Sequence, residues 1–268
     1  MSEESTDKSK ELKRLIAAGE RMLRGGTSSV IGAVAGFPGA LLGGAAGSIA
    51  NELFLQLGEE FSRRFLSPRE AERVGATLGG IDALVQAALQ QGYVLRTDGF
   101  FAVGSEERAW GEEVLEGIIQ AAKDEYEERK LPYLMNLGKE VFLDEGLSRP
   151  IALQLVHLAE TLSYQELVLL SVIAGNEQHP LGLRDRVYSG EKKTFTDQSL
   201  LVSILQDFNH LKALGLVTDG EPPRYGPAEF VPARMKVVGG PGKRLVLHLG
   251  LDRMPQSERL PYTILLRE

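Results

Sequence analysis

The chain has 268 residues, no cysteine, a hydrophobic fraction of 43% and a formal net charge of −7. These figures exclude disulfides, thiolate metal sites and a cysteine nucleophile, and they count against a general nucleic-acid scaffold. The length suits one large or two small packed domains.

The front end carries charges of both signs up to Arg24, which is not the layout of a cleavable secretory signal, so none is expected. After a polar start, Leu12, Leu15, Ile16 and Leu23 recur among Lys13, Arg14, Glu20 and Arg21. That spacing predicts a short amphipathic helix over 11–23. Every residue from Gly25 to Asn51 is then uncharged, and the run is dense in glycine and alanine. Glycine inside a helix costs about 1 kcal/mol relative to alanine, and close backbone approach is the usual compensation. Gly32 and Gly36 are spaced by four, as are Gly39, Gly43 and Gly47, which on a helix makes a smooth stripe for another helix. Phe37 and Pro38 interrupt it, because proline removes a helical hydrogen bond and pushes its predecessor out of helix. The expected form is a helical hairpin with arms at about 28–36 and 40–55. Gly32, Gly36, Phe37, Pro38, Gly39, Gly43 and Gly47 are the candidate membrane or oligomer interface. Arg21, Arg24, Arg63 and Arg64 flank the run, an arrangement suited to a hairpin that enters and leaves a bilayer on one side. The competing expectation is a buried hairpin in a soluble body, since each arm is shorter than the about 20 residues a spanning helix needs.

Ser67-Pro68-Arg69-Glu70 is a capping box, and Leu78, Ile81, Leu84, Val85, Ala88 and Leu89 give the helix behind it an apolar face ending at Gly92. Tyr93 to Val103 reads as a β-hairpin around Asp98-Gly99. Ser105 is the expected cap of a helix with Trp110, Val114, Leu115, Ile118, Ile119 and Ala122 inward, continuing through the charged stretch 124–130. Helices over 134–143 and 149–162 follow.

The run Asp124-Glu-Tyr-Glu-Glu-Arg-Lys-Leu-Pro-Tyr-Leu-Met-Asn-Leu-Gly138, followed by a helix and Ser163-Tyr-Gln-Glu-Leu-Val-Leu-Leu170, resembles the middle of the abortive-infection alpha family of bacterial proteins. The resemblance spans roughly residues 105–175 and does not include the glycine-rich front end. It implies a phage-defence setting and no particular chemistry.

Ser163 and Glu166 form a second capping box, opening a helix to Ala174. Thr196 or Asp197 is the expected cap of a helix over 199–214, with Gly215 closing it and a strand beginning at Leu216. Met235–Val238 and Arg244–Leu249 read as a β-hairpin turning at Gly239-Gly-Pro-Gly242. Together these resemble a winged helix-turn-helix. Basic and acidic residues nearly balance over 163–250. Possible nucleic-acid contacts are Gln206 and Asn209, suited to adenine edges, and Arg234, Lys236, Lys243 and Arg244 on the expected wing.

The expected fold class is mainly α: a helical N-terminal domain with a glycine-rich helical hairpin and a small β-hairpin, then a winged-helix-like α+β domain. The segments are a leader at 1–24, the hairpin at 25–66, a helical domain at 67–162 and the winged-helix-like domain at 163–268. His157, His179, His210 and His248 have no metal-ligand spacing, and Gly239 to Lys243 lacks the spacing and ending of a phosphate loop. The acid clusters at 106–107, 112–113 and 125–128 read as solvated helix faces. No catalytic residue, metal or cofactor is expected. The expected activity is that of a non-enzymatic bacterial effector, membrane-active in antiviral defence, cytoplasmic with inducible association with the inner membrane. Its expected partners are further copies of the chain, a lipid bilayer and another protein, with duplex DNA a weaker candidate. The alternatives are a DNA-binding regulator and a scaffold subunit of a larger complex.

Overall fold

The computed structural model of the chain describes residues 10–19, 48–64, 66–103, 108–183, 195–219 and 232–267. The chain divides into two units, Met1–Thr161 and Leu162–Glu268. Both are mainly helical.

The described part of unit 1 begins with α1 (residues 10–19). Leu12, Leu15 and Ile16 are buried while Lys10, Lys13 and Arg14 are exposed, as amphipathic spacing requires. Burying each such apolar side chain contributes about 1.5–3 kcal/mol before the entropy of ordering is counted. Helix α2 (Ser48–Arg63) buries Leu53, Phe54, Leu57 and Phe61. It extends well beyond residue 55, where the second hairpin arm was expected to end. The rest of the glycine-rich run, including Gly32, Gly36, Phe37, Pro38, Gly39, Gly43 and Gly47, lies outside the described residues.

Helix α3 (Pro68–Gln90) starts on the capping box. The Glu70 N–H donates to Ser67 Oγ at 3.4 Å, and the Ser67 N–H donates to Glu70 Oε2 at 2.7 Å. Both satisfy helix-end donors that would otherwise be orphaned. Leu78, Ile81, Leu84, Val85 and Ala88 are buried on its inner face. This helix packs against α4 (Trp110–Asp124) and α5 (Leu131–Leu143), and α6 (Arg149–Thr161) packs on α4 and α5.

Three expectations for unit 1 need correction. No strand forms between Tyr93 and Val103. Asp98 and Gly99 do make a turn, in which the Phe100 N–H donates to Asp98 Oδ1 and the Ala102 N–H to the Gly99 carbonyl. The segment before it instead gives its backbone to the helical core, with the Arg96 N–H on the Phe142 carbonyl at 2.9 Å. Ser105, the expected cap, lies outside the described residues, and α4 begins only at Trp110, with Ala109 before it and no side-chain cap. Packing fixes that start: the Gly111 N–H reaches the Phe100 carbonyl at 2.9 Å, and a Cβ on Gly111 would strike the Phe101 ring. Nor does α4 continue to Lys130. It stops at Asp124, Glu125 is extended at φ −71° and ψ 120°, and a 3-10 turn over Glu128–Lys130 leads into α5 with Pro132 in its first turn.

Unit 2 is built around α7 (Tyr164–Gln178), whose residues from Glu166 to Ala174 are all buried. It is contacted by α8 (Phe195–Ala213), strand β2 (Lys236–Val237), α9 (Pro241–Leu249), a 3-10 turn at Leu251–Arg253 and α10 (Gln256–Arg267). The Ser163–Glu166 capping box is present. Thr196 and Asp197 are not caps, because α8 already includes them. Gly215 follows α8 with φ +68°, a conformation that costs glycine no Cβ clash. Strand β1 (Val217–Thr218) pairs antiparallel with β2, Val217 opposite Val237 and Thr218 opposite Lys236.

The hairpin expected over 235–249 is absent. Its second half is α9, and Gly239 to Gly242 leads into a helix rather than turning a hairpin. The caps explain this. Pro241 sits where a helix N–H has no partner anyway, and Gly250 takes φ +70° to close the other end. A Cβ on Gly242 would lie 2.5 Å from the Leu216 carbonyl oxygen, so glycine lets the start of α9 rest on the backbone next to β1.

Candidate functional site

The described part of the front end is the three-helix corner of α1, α2 and α3. A Cβ built on Gly75 would lie 2.5 Å from the Leu15 carbonyl carbon, and one on Gly19 would lie 2.5 Å from the Gly75 carbonyl carbon. The two helices therefore cross backbone to backbone, and any side chain at either position would force them apart. On the other side, Leu12 fills the space over Gly58, where an added Cβ would meet Leu12 Cβ at 3.1 Å. A small-residue contact is thus seen between Gly19 and Gly75, which were not among the expected interface residues; the contact expected within the hairpin lies outside the described residues. Glycine spacing within a single helix does not reveal contacts of this kind, because the two partners lie far apart in sequence.

The basic residues after the glycine-rich run are paired with acids in this arrangement. Arg63 pairs with Glu59. Arg64 donates to Glu60 Oε1 at 2.5 Å, to Glu116 Oε1 at 2.6 Å and to Gln120 Oε1 at 3.1 Å, with its guanidinium 4.3 Å from the Phe61 ring centroid. Arg108 adds bonds to Glu112 Oε1 at 2.8 Å and to Glu116, while its buried Nη2 stays 3.9 Å from Glu60, beyond hydrogen-bond reach. The network ties the end of α2 to α4. Burial alone would push the Glu116 carboxyl up, but the hydrogen bonds from Arg64 and Arg108 outweigh it and hold the group below its ordinary value. A carboxyl depressed on folding contributes stability above its unfolded value and loses it as pH falls through the lower, folded one. Glu116→Gln is therefore expected to cost unit 1 about 1–2 kcal/mol at pH 7 and to flatten its stability loss on the acid side. Urea titrations at several pH values, followed by tryptophan fluorescence, measure both; an unchanged acid limb would contradict the assignment.

Three further buried charges were missed. Lys130 and Glu125 form an ion pair at 3% and 7% exposure, and the Glu127 N–H donates to Glu125 at 2.8 Å. The acid cluster at 125–128 is therefore not simply a solvated face. Arg96 is buried as well. Its guanidinium donates to Asp98 at 2.8 and 2.5 Å and to the carbonyls of Leu147 at 3.1 Å and Val141 at 3.4 Å, and it lies 3.8 Å from the Phe100 ring centroid. These bonds hold Asp98 below the usual carboxylate range.

In unit 2 the expected nucleic-acid contacts are scattered over different elements. Gln206 and Asn209 are exposed on α8, Arg234 closes a 3-10 turn, Lys236 lies on β2, and Lys243 and Arg244 are exposed on α9. The four basic residues do not share a wing. Neighbours on α8 are occupied within the unit: Gln165 Nε2 donates to Ser203 at 3.0 Å and Asp207 at 2.5 Å, His210 Nδ1 lies 2.5 Å from Glu166 Oε1, and Lys212 pairs with Asp219. Glu166 both closes the capping box and holds α8 to α7.

Among the described residues, no group of His, Asp and Glu has a metal-holding arrangement, and no helix is long and apolar enough to cross a membrane. A scan against protein-family models, a search of curated proteins and a search of solved structures each found no match.

Proposed function

We propose that the chain is a non-enzymatic, membrane-active effector whose charge-free front end engages a lipid bilayer. The observation that carries this reading is the absence of any charged residue from Gly25 to Asn51, with glycines at helical spacing. Support comes from the helices on either side. Helices α1 and α2, on either side of the run, both pack against α3 of unit 1, so the two ends of the run are held by the same body. Activity would come from several copies together, because short glycine-rich arms need neighbouring helices to satisfy and cover them. The bacterial setting is antiviral defence, drawn from the resemblance of residues 105–175 to the abortive-infection alpha family, with the protein in the cytoplasm until it meets the inner membrane. Unit 2 serves as a mainly helical sensing or interaction module for a protein partner.

Dye-loaded vesicles test the reading. The intact chain is expected to release the dye, and a Gly36→Glu plus Gly43→Glu variant to lose most of that release, since a charge in the bilayer interior costs about 2.5–3.5 kcal/mol by insertion scales. Equal release by both proteins would refute it.

A further inference from the structure

The exposed side of α1 carries Lys10, Lys13 and Arg14 in a chain whose overall charge is −7. The opposite side is Leu12, Leu15 and Ile16, all buried under α2 and α3. A short helix that is basic on one side and apolar on the other suits the headgroup boundary of an anionic bilayer, where the apolar side goes down and the cations meet phosphate. In the arrangement observed, the apolar side is hidden, while Lys10, Lys13 and Arg14 face outward beside exposed Ala17 and a half-buried Glu11. The cover is a backbone crossing, with Gly19 and Gly75 allowing α1 and α3 to touch where any Cβ would separate them.

We propose that α1 is an anionic-lipid anchor stowed in a docked position, and that its departure from α2 and α3 is the step that commits the front end to a membrane. The inference rests on the membrane-active reading above and adds to it the element that gates it. The docked helix touches an anionic surface weakly, through its cations alone; the undocked helix adds three apolar side chains. A variant that weakens docking binds vesicles more tightly, and one that pins α1 binds them less.

Both variants are available in the full chain. Gly75→Leu blocks the crossing while favouring the helix it lies in, because leucine is a much better helix former than glycine. The pair Leu12→Cys and Gly58→Cys places two thiols on carbons 3.1 Å apart, close to the about 3.5–4.5 Å between Cβ atoms in disulfides, in a chain with no other cysteine. Flotation with phosphatidylglycerol–phosphatidylcholine vesicles reads binding, and dye release is read on the same samples. The oxidised pair is expected to bind about tenfold less than its reduced form, and Gly75→Leu about tenfold more than the parent chain, as a shift between docked and undocked populations predicts. Equal binding by oxidised and reduced forms overturns the stowed anchor, and so does equal binding to pure phosphatidylcholine. Dye release that ignores the cross-link overturns the anchor but leaves the membrane-active reading standing. Binding that follows the cross-link without dye release upholds the anchor and refutes permeabilisation. Absence of binding by every form, Gly75→Leu included, refutes both.

Discussion

Replacing Lys130 with methionine is expected to destabilise unit 1 by about 3–5 kcal/mol, the cost of stranding one member of a buried ion pair. Lys130 and Glu125 are almost wholly removed from solvent and pair with each other. The desolvation of both groups has been met in the folded chain, and only their mutual attraction and surrounding hydrogen bonds offset it. Methionine matches the length of the lysine stem but leaves the Glu125 carboxylate facing an apolar neighbour. Changing both residues to methionine removes the charge as well and should recover at least half of the loss. Recovery would be incomplete because the Glu127 N–H and the Glu160 carbonyl lose partners they now have. The single tryptophan of the chain, Trp110, lies in unit 1, so its fluorescence in urea follows this unit. A Lys130→Met midpoint close to that of the parent would show that the pair contributes nothing.

Arg96→Leu should cost a similar amount, about 3 kcal/mol or more, by a different route. This guanidinium uses a planar fork to satisfy one carboxylate and two backbone carbonyls from separate parts of the chain, while its face rests on Phe100. Leucine would fill part of the space and leave the carbonyls of Val141 and Leu147 without their donor. Arg96→Lys should rescue less than half of the loss, because an ammonium is a point donor and cannot reproduce the fork. The pH dependence carries a further signature. Asp98 is held below its ordinary value by Arg96, so its contribution is present above that value and is lost as pH falls through the depressed one. Arg96→Leu should remove this acid-side loss, and fluorescence-detected urea titrations of the variant would show whether it does. A lysine variant as stable as the parent would overturn the fork.

The helix starts at Ser67 and Ser163 could be read from sequence because a capping box is complete within four residues. The inward faces of α3 and α4 were legible for a similar reason, since their periodicity is local. What the sequence concealed depends on partners far away along the chain. Glu125 sits in a row of acids and looks solvated until Lys130 folds back on it. Arg96 lies in a stretch whose Asp98-Gly99 turn is real, yet its backbone partner is Phe142 in α5. The helix α9 was mistaken for a strand because Leu245, Val246 and Leu247 make a short apolar run, which periodicity alone cannot assign to helix or strand. Leu245 and Leu249, four apart, are both buried, and Pro241 and Gly250 were the helix boundaries in plain view. At the front end, the charge-free run was legible as a composition; the crossing of Gly19 over Gly75 was not, because those glycines belong to different helices.

Helix α7 has no polar side along most of its length, and its neighbours in unit 2 all come later in the chain, from α8 to α10. Unit 2 is therefore arranged radially, like a sleeve around a rod, rather than as stacked layers. A fragment cut after residue 183 would strip the sleeve away and leave a greasy cylinder in water. Hiding this rod takes the elements out to α10, so a boundary for separate production of this half belongs just before Leu162.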